Sequence, residues 1–252
     1  MLDQVLKERE PLLSVNELAD AHCHLDAFPD PATTIKDARF GGVSTMITAG
    51  GSRMSSLEAM RIAGGSDGVF AVIGVDPQNA DRDRGFVEEI GSLIKANDKV
   101  VGIGEIGIDN KVGAEKRIQE EVFERQIEIA KGLDLPIVVH SRKAIDEVIE
   151  IVKRHKVRKA LFHFFEGDEE KAELLAGMGY MISIPPIESQ RRKRVINKID
   201  IRNIAVETDS PVVGRSPLDV IRTVGWIAEI KGIQFDEASL RITQNVKRLF
   251  SI

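Results

Sequence analysis

The run Val100-Val101-Gly102-Ile103-Gly104-Glu105 is short, rich in β-branched residues and ends on a carboxylate. It reads as a strand buried on both faces with a polar residue at its carboxyl tip, because a near-continuous apolar run of this length marks a parallel strand covered by helices. The same form recurs along the chain. Pro136-Ile137-Val138-Val139 ends on His140, Ala160-Leu161-Phe162 on His163, and Ile204-Ala205-Val206-Glu207-Thr208 on Asp209. Further candidate strands lie at Leu18 to His22, Val43 to Thr48, Val69 to Gly74 and Tyr180 to Ile184. That makes eight strands, with Val100 to Ile106 and Ile204 to Glu207 taken as the full extent of two of them.

Between these runs stand amphipathic stretches. In the clearest, about Ala114 to Gly132, Val122, Ile127, Ile129 and Ala130 fall among charged residues at helical spacing, and Gly132 reads as its terminator. Strand and helix in alternation predict a parallel sheet with helical crossovers, an α/β fold of the TIM-like (β/α) barrel type. The 252 residues suit it, since such barrels fill about 250 residues. No Pro/Gly/Ser-rich linker divides the chain, so residues 1–252 are expected to form a single domain, with residues 1–18 an N-terminal extension read as a surface helix closing one end of the barrel.

Composition narrows the function classes. Hydrophobic residues make up 42% and charged residues 30%, enough for a large core under a solvated surface. The start, MLDQVLKERE, lacks the apolar core of a signal peptide, and no segment offers the roughly 18 apolar residues of a membrane span. The lone Cys23 excludes an intrachain disulfide. A cytoplasmic protein with no membrane association is expected, and no protein partner is inferred. A net charge of -5 provides no global field to gather nucleic acid, so a nucleic-acid substrate would need a local basic patch.

In Asp20-Ala21-His22-Cys23-His24, the period of two places His22 and His24 on one face and Cys23 on the other. In a parallel barrel all carboxyl ends of the strands meet at one mouth, so His22, His24, Glu105, His140, His163 and Asp209 converge there. Carboxylates grouped at that mouth would repel one another, and bound cations offset the repulsion. Mixed nitrogen and oxygen donors suit Zn²⁺, Mn²⁺, Fe²⁺, Co²⁺ or Ni²⁺, and a more carboxylate-rich position could take Mg²⁺. Six donors exceed the needs of one tetrahedral ion, which points to two divalent ions bridged by Glu105. Such a pair would activate a water, with Asp209 orienting or deprotonating it, so Asp209 and Glu105 are the catalytic candidates. Asp26, Asp109 and Glu207 flank the set and could orient its imidazoles.

Arg142, two residues past His140, is the candidate substrate contact, because a guanidinium beside the metals could grip an oxyanion through two hydrogen bonds. The basic run Gln190-Arg191-Arg192-Lys193-Arg194 could hold a phosphate backbone, although charge runs usually face water. Ala49-Gly50-Gly51-Ser52 reads as a tight turn, and His155, in a helical pattern away from any strand tip, as a surface residue.

The ordered series HCHLD, GEIGID, LPIVVHSRKA, HFFEG and ETDSP resembles the TatD family of metal-dependent deoxyribonucleases, over Ala19 to Phe250. Gln119 to Gln126 resembles the family's helix before the LPIVVHSR strand, and NVKRLF, Asn245 to Phe250, its closing helix. The resemblance implies a TIM-like barrel with His22, His24, Glu105 and Asp209 around one metal and Glu105, His140 and His163 around the other. It further implies phosphodiester hydrolysis, as a 3′–5′ exonuclease-like deoxyribonuclease, with DNA or a small phosphodiester as substrate. Three features depart from the family pattern. Asp76 stands in Gly74-Val75-Asp76-Pro77 where a histidine is usual, the segment Pro211 to Pro217 is short, and Asn110 replaces an aromatic. An anion at position 76 would repel phosphate. An amide, lactone or ester hydrolase acting on a small molecule is therefore the alternative expectation.

Overall fold

The computed structural model describes residues 17–252. The expected N-terminal surface helix lies, through residue 16, outside the described residues, and Leu18 already belongs to the first strand. The strands are β1 (Leu18–Cys23), β2 (Val43–Gly50), β3 (Val69–Ile73), β4 (Val100–Gly107), β5 (Ile137–His140), β6 (Ala160–Phe162), β7 (Met181–Ile184) and β8 (Ile204–Val206). All neighbours pair in parallel, in sequence order. Backbone hydrogen bonds from Asp209 N to the His22 carbonyl (2.9 Å) and from His24 N to the Ser210 carbonyl (2.8 Å) bring the end of β8 back onto β1. The sheet is thereby curled into the barrel the alternation predicts.

The main helices are α1 (Pro31–Phe40), α2 (Arg53–Gly64), α3 (Val87–Lys95), α4 (Lys116–Leu133), α5 (Ile145–Arg154), α6 (Glu169–Gly177), α7 (Gln190–Lys198), α8 (Val220–Lys231) and α9 (Phe235–Phe250). Two cores follow from the pleat. Alternate strand residues, among them Ala19, Ala21, Ile47, Val72, Val138, Leu161 and Ala205, form an inner cluster closed by Val246, Leu249 and Phe250 of α9. Their neighbours, such as Met46, Ile73, Ile103 and Val139, pack outward with the helices. None of the described helices is long and apolar enough to cross a membrane.

Strand ends differ from expectation for local reasons. Pro136 has no N–H and stays outside β5, offering only its carbonyl to Ile103 N (3.0 Å). Tyr180 finishes the preceding turn, its N–H on the Leu175 carbonyl, before β7 begins. Gly132 does not end α4: the helix runs to Leu133, and Asp134, at φ 55°, takes the left-handed terminating position.

Candidate active site

Each predicted donor lies within three residues of the carboxyl end of its strand, Glu105 inside β4 and Asp209 beyond β8, and together they form one cluster. The inward alternation of Ala19 and Ala21 breaks at a register shift between Asp20 and Cys23, so His22 and His24 turn to the mouth while Cys23 packs in the outer core. His22 Nε2 and His24 Nε2 are 3.3 Å apart, as their shared face requires. Asp209, in the left-handed region at φ 48°, brings Oδ1 to 3.1 Å from His24 Nε2 and 3.7 Å from His22 Nε2.

Glu105 lies between two groups of donors. Its Oε2 is 3.6 Å from His22 Nε2 and 4.0 Å from His24 Nε2, while its Oε1 is 2.5 Å from His140 Nδ1 and 2.9 Å from His163 Nε2. His140 Nδ1 and His163 Nε2 are themselves 3.2 Å apart. Gly107 allows β4 and β5 to approach this closely, because its φ of +147° and the space a Cβ would share with the His140 carbonyl both demand glycine. Two sets of donor atoms are compact enough to share a cation: His22, His24 and Asp209, and His22, Glu105 and His163. The chemistry of the donors fits such an ion. Imidazole nitrogens and carboxylate oxygens face one another in a largely buried space, where unlike groups at 3–4 Å around one point are a divalent ion's ordinary ligands.

Electrostatics polarise the cluster. Burial and the nearby His163 charge hold His22 well below the usual histidine range, leaving a neutral imidazole. Burial would also lower His24, but its hydrogen bond to Asp209 and the charge of Glu105 outweigh burial and raise it to about 9. His140 behaves alike: hydrogen bonds to Asp109 and Glu105 overcome burial and raise it to about 9. Burial pushes Glu105 up, yet the surrounding His163 and His140 charges win and hold it well below the carboxylate range.

The supporting residues were only partly legible. Asp109, as expected, faces an imidazole, its Oδ2 3.1 Å from His140 Nε2. Glu207 Oε1 is 3.7 Å from His163 Nδ1, too long for a hydrogen bond, and accepts instead from Phe164 N at 2.6 Å. Asp26 makes no hydrogen bond to an imidazole among the described residues, although its charge adds to the rise of His24, and its Oδ1 is buried without a hydrogen-bond partner. Arg142 is exposed on the turn after β5, its carbonyl accepting from Asn110 N at 3.1 Å. Asn110 Nδ2 reaches the Lys143 carbonyl at 2.9 Å, tying the β4 and β5 loops where an aromatic would otherwise stand.

Asp76 is half-buried, and burial together with the nearby Glu105 charge pushes it up to about 6. Its Oδ1 accepts from Asn79 N (2.8 Å) and Asn79 Nδ2 (2.9 Å), so part of this carboxylate is spent on its own loop. Ala49 and Gly50 still belong to β2, and the turn is made by Gly51 and Ser52, whose amides both donate to Ser55 Oγ and cap α2. His155 pairs with Glu128 (2.7 Å) between helices, away from the cluster. Arg192 departs from the solvated-run reading: it is 6% exposed, while Lys193 and Arg194 face water.

Three residues with supporting roles escaped the sequence reading. Asp20 is fully buried and accepts from Thr208 Oγ1 (2.5 Å) and Thr208 N (3.0 Å), fixing β8 just before Asp209. Gln119 and Gln126, one heptad apart on α4, are buried too. The first bonds Asp109 N (2.9 Å), the second Val75 N (2.8 Å) and the Val75 carbonyl (3.0 Å). A buried Asp before the HCH run and two glutamines on an apolar helix stripe were the available signals.

Residues 19–251 match the family described as TatD related DNase. The chain is 31% identical over 256 residues to a putative deoxyribonuclease, tatdn3, of Danio rerio, covering 92% of this chain and 96% of that protein. It is equally 31% identical, over 257 residues, to the uncharacterized metal-dependent hydrolase YabD of Bacillus subtilis (strain 168), covering 93% and 99%. The crystal structure of YjjV, a TatD homologue from Escherichia coli K12, superposes with a TM-score of 0.88 at 24% identity, covering 94% of this chain and 99% of that one, a likeness in fold. With a family match over almost its whole length, this chain belongs to the TatD related DNase family and is a metal-dependent hydrolase.

Proposed function

We propose that this protein hydrolyses phosphodiester bonds of DNA at a site holding two divalent cations, Mg²⁺, Mn²⁺ or Zn²⁺, with Glu105 shared between them. The observation that carries the reading is the placement of the two Glu105 oxygens, one against His140 and His163 and the other toward His22 and His24. His22, His24 and Asp209 would hold one cation and His140 and His163 the other. Cations there would supply Lewis acidity, lowering the pKa of a water and neutralising charge on the phosphate. Asp209 would take the proton of the attacking water as the new P–O bond forms and the bond to the leaving nucleoside oxygen breaks. Arg142, exposed beside His140, would bind a non-bridging phosphate oxygen through its guanidinium. Asp109 holds the His140 ring from behind.

The carbonyl-hydrolase alternative leaned on Asp76. The Asp76 carboxylate is turned onto its own loop through hydrogen bonds to Asn79, and relatives named as deoxyribonucleases favour the phosphodiester. One-domain organisation and a cytoplasmic setting belong to the same proposal; the unbroken pairing from β1 to β8 supports the first and the single buried Cys23 the second.

The test is cleavage of 5′-labelled single-stranded DNA in Mg²⁺, Mn²⁺ or Zn²⁺. Stepwise shortening of the strand is expected, lost on addition of EDTA and in His140→Ala. An intact strand in all three metals would overturn the proposal.

A further inference from the structure

We propose that Phe164 is a stacking platform for one nucleobase of the substrate strand, backed by the buried guanidinium of Arg192. The inference rests on the phosphodiesterase reading above and names a subsite within it. Phe164 directly follows His163 at the tip of β6 and is half-buried, so it stands at the mouth where the loops emerge. Its backbone has φ 43°, in the left-handed region that bulky L residues rarely adopt, and residues held this way cluster at ligand sites. What holds it is the Phe164 N–H on Glu207 Oε1.

Arg192 supplies the support. Its Cζ lies 5.3 Å from the centre of the Phe164 ring, within cation–π range. Its Nη1 donates to the Ile187 carbonyl at 3.2 Å, and its backbone N–H to Ser189 Oγ at 3.2 Å, so the guanidinium is fixed from α7 and the loop before it. No carboxylate oxygen among the described residues lies within 4 Å of the Arg192 guanidinium, and its Nε is buried without a hydrogen-bond partner. The charge is balanced from a distance by Glu166 and Glu207, while the aromatic ring takes the close contact.

The neighbouring loops are apolar as well. Ile187, after β7, is 41% exposed and Val212, after β8, 69% exposed, so three successive loops on one side of the mouth present hydrophobic side chains. A ligand with a flat apolar face and charged flanks suits this surface, and an unpaired base of single-stranded DNA has that chemistry. Arg191, half-exposed and without an ion pair among the described residues, stands beside Arg192 for a flanking phosphate. With aromatic residues only 5% of the chain, such a platform selects one base position instead of tracking the strand.

The experiment compares KM for a short single-stranded oligonucleotide with KM for versions carrying one abasic nucleotide at successive positions, alongside the fluorescence of 2-aminopurine placed at each position. Wild type is expected to show one position where removing the base raises KM about tenfold, the scale of one stacked base, and where 2-aminopurine is quenched. Phe164→Ala should erase both the preference and the quench, Phe164→Tyr should keep them, and Arg192→Gln should weaken them. If Phe164→Ala fails to fold, Phe164→Leu retains the volume without the π face and takes its place. A wild type that cleaves DNA but shows the same abasic profile as the Phe164 variants overturns this inference alone. A wild type that cleaves no strand at all overturns the phosphodiesterase reading, and this one with it.

Discussion

Asp20 and Thr208 join the first and last strands at the level of the active site: one buried carboxylate accepts both the threonine hydroxyl, at 2.5 Å, and its backbone N–H, at 3.0 Å. The residue after Thr208 is Asp209, and the third acceptor contact of Asp20 is the N–H of His22, at 3.3 Å. The Asp20 side chain therefore reinforces the backbone closure of the barrel beside two proposed cation ligands. Asp20→Ala leaves the backbone N–H groups of Thr208 and His22 without this acceptor, while the Thr208 hydroxyl keeps Ser210 Oγ at 2.8 Å, and should lower unfolding free energy by about 1–3 kcal/mol. Urea unfolding of both proteins measures this, and a loss under about 0.5 kcal/mol would show that the junction is held by other contacts.

Asp109 fixes the ring of His140 through a single contact at 3.1 Å. Asp109→Ala should weaken divalent-cation binding by about 10- to 100-fold, the usual effect of removing the partner behind a ligating imidazole. Calorimetric titration with Mn²⁺ reads this directly. Unchanged affinity would mean that Glu105 and His163 orient His140 without help.

Proton release should accompany metal binding. Without a cation, His24 and His140 are raised to about 9, so both carry a proton at pH 7, and His163, which burial lowers but Glu105 raises well above the usual histidine range, carries a third; ligation must displace them. Affinity is expected to rise with pH between 7 and 9, and titrations at pH 7 in buffers of different ionisation enthalpy should report about three protons released. The same shifts fix the sign for metal-free stability. The contribution of these groups is fully present below the unfolded histidine pKa of about 6.5 and is lost as pH rises through 9. Binding that releases no protons would contradict the assigned ligands.

Gln126 holds both backbone groups of Val75 from α4 and so carries the loop that bears Asp76. Gln126→Leu should cost about 1–3 kcal/mol, because the Val75 N–H loses its buried partner. Thermal unfolding tests it. A variant as stable as wild type would mean that the loop finds another acceptor for that N–H.

These contacts mark the boundary of what the sequence discloses. The strands and their polar tips were legible because a strand buried on both faces must be apolar until it reaches the mouth; Glu105, His140, His163 and Asp209 each interrupt or follow such a run. The His22–His24 pair was legible from period alone, though the register shift that turns both toward the mouth was not. Asp20, Gln119 and Gln126 were not legible, since a polar residue in an apolar pattern announces burial without naming its partner, and their partners lie 188, 10 and 51 residues away. Arg192 is not legible for the opposite reason: within seven consecutive polar residues, Glu188 to Arg194, nothing local distinguishes the arginine that turns inward to Phe164 from those that face water.

The central claim is that Glu105 joins two cation sites. Diffraction data from crystals soaked in Mn²⁺, collected where manganese scatters anomalously, would test it most directly. Two peaks are expected, one among His22, His24, Asp209 and Glu105 and the other among Glu105, His140 and His163. A map with no peak at Glu105, or with metal bound only elsewhere on the surface, would contradict the account.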